Sequence, residues 1–215
     1  MAQPLPMRKC RRGDVFQNDV TGERAIVLEG TEDSGDGRIV AYVGVRPGGA
    51  VAGEHVHPSL RERFRLVSGE LCVKVNGAER LLRPGEEVTI EPGTPHDWWN
   101  AGDVEAQVVV EIDPGARFEL LLTTTFGLAG DGLTNDKGMP HLLQRAVIAD
   151  EFRDVIEFRS PPRFVQRLML ATLAPIGRAL GYRAHYPRYT RPHGRVEVIP
   201  DLMAYVEPRA ERAAA

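Results

Sequence analysis

Between residues 38 and 112 apolar and polar positions alternate in short runs, and most runs end at glycine, proline or Asn-Gly. A period of two sends successive side chains to opposite faces of a strand, so that one face can be buried. Arg38–Val45 reads as a strand, and Arg46-Pro47-Gly48-Gly49 as the turn after it. The next run sets Glu62, Phe64 and Leu66 on one face and Arg61, Arg63 and Arg65 on the other. Gly69–Val75 repeats the alternation with Leu71, Val73 and Val75. Asn76-Gly77 then signals a tight hairpin, because both positions accept positive φ. Glu79–Leu82 returns, Val88–Ile90 and His96–Asn100 flank a Glu-Pro-Gly-Thr-Pro loop, and Val104–Ile112 turns Val108, Val110 and Ile112 inward. Upstream, Asp14–Asn18 and Arg24–Gly30 read as short strands and Thr31–Gly37 as a loop. Many short strands with regular turns predict a β-sandwich or barrel, and the lack of an internal repeat predicts a single one.

After Asp113-Pro114-Gly115 the period lengthens. Ala116–Leu128 has helical spacing at Phe118, Leu121, Leu122 and Phe126, and His141–Phe152 reads as a second helix. A third helix is predicted from Pro161-Pro162 to Leu180, capped by Ser160, kinked at Pro175 and ended by Gly181. The chain thus divides into an N-terminal arm and short strands (1–35), a β-barrel (36–114) and a helical extension with a basic tail (115–215). The proline-rich, basic residues 1–12 are expected to be a loose arm.

Composition adds limits. A chain that is 42% apolar and 27% charged, with net charge -3, is an ordinary globular protein with no general case for nucleic acid. The start has no apolar core of a signal peptide, no stretch is long and apolar enough to span a membrane, and two cysteines make no disulfide framework. A cytoplasmic location follows as the expectation. Residues 161–196 hold seven arginines and no acid, beside an apolar stripe. Such a stripe is expected to pack on the barrel or on a second copy of the chain, as a homodimer. Contact with an anionic membrane surface is the competing reading.

The candidate chemistry lies between Gly49 and Asn100. His55 and His57 share a face of one strand; Glu62 lies on an otherwise apolar face, a costly place for a carboxylate without a positive partner. Three imidazoles and one carboxylate suit a first-row transition metal and not Ca²⁺ or Mg²⁺. From Gly49 there are five residues to His55, one to His57, four to Glu62 and six to Gly69. From Gly85 there are five to Glu91, one to Gly93, two to His96 and three to Asn100.

These two spacings resemble the paired motifs of the cupin superfamily, with Glu91 where a proline is usual. The resemblance implies a mainly β fold, a double-stranded β-helix (jelly-roll) barrel, here with a C-terminal α-helical extension. It implies His55, His57, Glu62 and His96 as ligands of one divalent transition metal ion: Fe, Mn, Ni, Cu or Zn. The activity expected is that of a small-molecule metalloenzyme, dioxygenase-like first, isomerase or cyclase next. The alternative is a non-catalytic module that binds a small ligand. A bidentate anionic or aromatic ligand suits such an ion, with Phe64, Leu66 and Trp98 as apolar walls and Glu62 as ligand and base. Trp98 and Trp99 exchange roles if the strand slips by one residue.

Overall fold

A computed structural model describes residues 7–35, 37–50 and 53–206. The first six residues of the expected arm and the end of the basic tail lie outside the described residues. In chain order the elements are β1 (Asp14–Asn18), β2 (Glu23–Glu29), α1 (Thr31–Ser34), β3 (Ile39–Val45), β4 (His55–Val56) and β5 (Arg61–Ser68). They continue with β6 (Leu71–Val75), β7 (Ala78–Leu82), β8 (Glu87–Ile90), β9 (His96–Asn100) and β10 (Ala106–Asp113). After the barrel come α2 (Ala116–Gly130), α3 (Leu142–Glu151), β11 (Glu157–Phe158), α4 (Arg163–Ala179), β12 (Gly194–Arg195) and α5 (Pro200–Met203).

The strands form two antiparallel sheets, in the orders β12-β1-β2-β3-β10-β5-β8 and β11-β4-β9-β6-β7. Their inner faces share one core: Ala25, Val43, Phe64 and Leu66 from the first sheet meet Leu71, Val73, Leu82 and Trp98 from the second. This is the jelly roll that the cupin resemblance implies, and it meets the alternation's expectation of a sandwich or barrel, with helices after it. The Asn76-Gly77 hairpin is present, with φ of 51° and 85°, and it sets Val75 opposite Ala78. The two short strands before residue 36 are full members of the first sheet: Ala25 pairs with Val43 and Val15 with Ile26.

Two local expectations change. Thr31–Ser34 is one turn of helix where a loop was expected, because the Asp33 carboxylate accepts from the backbone N–H of Gly30 at 2.9 Å. Ser160 is not the cap of α4. Pro162 occupies that position, and Gln166 Nε2 holds the turn by donating to the carbonyls of Phe158 and Pro161 at 2.7 and 2.6 Å. The helix runs through Pro175, and Gly181, at φ 92°, closes it in a left-handed conformation that other residues resist.

Helix α2 lies against β1 and is pinned by its buried Glu119, which accepts from the backbone N–H of Cys10 at 2.7 Å and from the Thr31 hydroxyl. Helix α4 packs on α3 through buried Ala174 and Gly177. Beyond α4 the chain returns to the barrel. β12 pairs with β1, and Val198, Leu202 and Tyr205 cover Leu28, Val40 and Val109 on the far face of the first sheet. The stripe on α4 behaves differently: Phe164 and Leu168 are 74% and 68% exposed. Among the described residues no helix is long and apolar enough to cross a membrane.

Candidate metal centre

Strand pairing brings the four donors together. His55 on β4 stands directly opposite His96 on β9, with ring centroids 4.3 Å apart. His57 lies two residues beyond His55, and its ring centroid is 5.1 Å from that of His96. Glu62, the second residue of β5, enters from the other sheet; its Oε2 lies 3.1 Å from His96 Nε2 and 3.4 Å from His57 Nε2. One ligand atom from each of the four residues falls within 4.8 Å of the others, and all four residues are buried.

The histidines are oriented for coordination. Nδ1 of His55, His57 and His96 lies 3.0, 2.6 and 3.0 Å from the carbonyl oxygens of Gly53, Val155 and Thr94. A carbonyl only accepts, so each Nδ1 carries the hydrogen. In the neutral ring Nε2 is then the free donor. Three such nitrogens and a carboxylate oxygen, all on buried residues, fit a divalent transition metal.

The electrostatics agree with a compact charged cluster. Burial pushes the His55 imidazole down to about 4, helped by repulsion from His96 and His57. Burial alone would push the Glu62 carboxyl up. Hydrogen bonds and charge from His57 and His96 outweigh it and hold that carboxyl well below the usual range. For His96 burial pulls downward, but Glu62 reverses the sign and raises it.

A cavity of about 280 Å³ opens onto His55, His57 and Glu62, with His96 buried behind them. Phe64 and Trp98 line it, with ring centroids 5.7 Å apart. Leu66 does not: it is packed into the barrel core at 0% exposure. Register settles the choice between the tryptophans. Trp98 pairs with Val73 and points inward, whereas Trp99 pairs with Cys72 and bridges to Ala50. Glu54 turns toward Lys74 and Arg159 at 3.8 and 3.5 Å, and Asp97 accepts from the N–H of Trp98.

Much of the wall comes from the helical extension. Phe118 of α2 lies 5.8 Å from the His57 ring, and Phe158 of β11 lies 6.1 Å from the His55 ring. Leu121, Ile148, Ile156 and Leu170 complete an apolar lining. Phe118, Leu121, Ile148 and Leu170 carried only a helical signature in the sequence, and the short strand at 157–158 was not read there. Their placement over the barrel follows from β11 pairing with β4.

A family model described as a cupin domain matches residues 41–116, the stretch that carries the first sheet's centre and all four donors. The chain belongs to the cupin superfamily.

Three relatives are similar to this cupin. An oxidoreductase of Arthrobotrys oligospora is 29% identical over 152 residues, which is 64% of this chain and 58% of that protein. The tetracenomycin polyketide synthase protein TcmJ of Streptomyces glaucescens is 36% identical over 75 residues, 35% of this chain and 50% of that protein. Protein SchB of Streptomyces halstedii is 31% identical over 110 residues, 51% of this chain and 72% of that protein. The chain thus spans 58% and 50% of the length of the first two.

Proposed function

We propose that this cupin is a small-molecule metalloenzyme, a dioxygenase-type oxidoreductase acting on an apolar, oxygen-bearing aromatic compound. The observation that carries the reading is the largely apolar cavity that reaches His55, His57 and Glu62, three of the four clustered donors. A divalent metal held by His55, His57, Glu62 and His96 would supply a Lewis acid for substrate oxygens. The chain's own residues do the rest. Phe118 and Phe158 lie against the histidines and give a planar substrate two apolar surfaces. Phe64 and Trp98 keep the floor dry, which strengthens every charge interaction above it. The relative in Arthrobotrys oligospora is named an oxidoreductase, which supports redox chemistry.

The test is oxygen uptake by Fe(II)-loaded protein across phenols and diketones, with mass analysis of products. Two oxygen atoms from O₂ are expected in the product. A second reading, a cyclase or isomerase, uses the same donor set to hold a metal that would act only as a Lewis acid. It predicts a product isomeric with its substrate, or one differing only by water, and no oxygen consumption. Tight binding of the whole panel without turnover would leave the alternative of a binding module.

A further inference from the structure

Helices α3 and α4 bring charge as well as apolar wall to the cavity. Lys137, Arg145, Arg153, Arg163 and Arg167 all line it. Arg145 lies on α3 and Arg153 in the turn just after it, while Arg163 and Arg167 are four apart on α4, so that helix turns both of its cations to one side. Residues that line the cavity and are also exposed mark where it meets solvent, and all five are exposed.

Most acids nearby are already engaged. Arg153 pairs with Asp150 and Arg163 with Glu157, both at 2.8 Å. Glu62 is surrounded by histidines. Among the described residues, Lys137, Arg145 and Arg167 have no side-chain partner. Against these three unmatched cations the lining offers one further carboxyl, Glu23, which is engaged by the Thr21 hydroxyl at 2.7 Å. Beneath the cations the surfaces are Phe118, Ile148, Ile156, Phe158 and Leu170. Charge at the rim and rings below it form a gradient from ionic to apolar, ending at the buried donors.

We propose that this rim is an anion subsite, and that the ligand of the cavity is an amphipathic aromatic carboxylate. Its carboxylate sits between Arg145 and Arg167, and its ring system lies along Phe118 and Phe158 toward His55 and His57. This rests on the reading of the cavity as the substrate site. Guanidinium forks match a planar carboxylate with two parallel hydrogen bonds. Because the rim is solvated, the pairing forms without the full desolvation cost of a buried ion pair. The rings below gain from apolar burial, which a freely hydrated anion does not supply.

The full-length protein, stripped of metal, is titrated by fluorescence with anthracene carboxylate and with anthracene methanol, its uncharged counterpart. The carboxylate is expected to bind about tenfold tighter at low salt, and the advantage to shrink as salt is added. Arg145→Ala with Arg167→Ala should bring the carboxylate to the affinity of the alcohol and leave the alcohol unchanged. Both positions are exposed, so the double variant should keep its melting temperature. Lysine at both positions should retain part of the preference. Equal affinities in the wild type, or an undiminished preference in the double alanine variant, overturns the anion subsite alone. Failure of the wild type to bind either compound overturns the cavity reading as well.

Discussion

Nδ1 of His57 lies 2.6 Å from the carbonyl oxygen of Val155, a contact that spans 98 residues of chain. The carbonyl follows α3 and precedes β11, so the helical extension decides which nitrogen of His57 faces the other donors. Val155 is held in turn by its N–H, which donates to the Phe152 carbonyl at 2.9 Å, and the Phe152 ring is fully buried. Phe152→Ala should therefore cost about 3–5 kcal/mol of stability. It should also weaken metal binding by about 10–100-fold, as loss of a histidine's outer partner does. Competition with a chelator measures the second effect in whatever fraction stays folded. An unchanged affinity would detach the extension from the metal centre.

Direct loss of a donor should be more severe. Wild-type protein is expected to carry one transition metal ion per chain, and His57→Ala to lose most of it, read by elemental analysis. Added metal should raise the melting temperature of the wild type and leave that of the variant where it was. Equal metal content in both proteins would remove His57 from the donor set.

Gly177 allows α4 to sit close to α3. A Cβ there would stand 2.7 Å from Val147 Cγ2 and 2.9 Å from the Leu143 carbonyl oxygen, closer than real contacts allow. The backbone oxygen cannot yield as a side chain does. Gly177→Ala should cost about 1–3 kcal/mol by overpacking. In calorimetry that corresponds to roughly 2–4 °C of melting temperature per kcal/mol for a chain of this size. A variant as stable as the wild type would show that the two helices are free to separate.

Glu23 gives the fold a pH dependence. Burial raises its carboxyl above the ordinary glutamate value of 4.5, against a smaller opposing effect of the Thr21 hydroxyl. A carboxyl raised in the folded state binds its proton more tightly there than in the unfolded chain. Its contribution is therefore complete below the ordinary value and is lost as pH rises through the folded one. Glu23→Gln, which cannot ionise, should melt higher than the wild type near neutral pH. The gap should close near pH 4. A difference that persists unchanged to low pH would sink the assignment.

Several features were legible because they are encoded locally. The hairpin at Asn76-Gly77 needs positive φ at adjacent residues, and those two residue types supply it. The four clustered residues were picked out by spacing together with the resemblance to the cupin motifs. A strand repeats every two residues, so His55 and His57 share a side; that His96 stands opposite His55 is a matter of strand pairing. The cap of α4 was misread because Ser160 lies outside the helix, and a glutamine inside it makes the bonds that hold the turn. Leu66 was assigned to the cavity because it alternates with Phe64; depth along β5 separates them, and alternation carries no information about depth.

The sequence by itself determined the alternation that makes two sheets and the turns that connect them. These depend on interactions within a few residues, where φ preferences and side-chain period act directly. The tertiary structure decided that Trp98 and not Trp99 faces the cavity, that Val155 orients His57, and that Phe118 and Phe158 wall the approach to the donors. Those outcomes depend on strand register and on how helices dock. Both are set by the summed packing of residues distant in the chain, which no local pattern records.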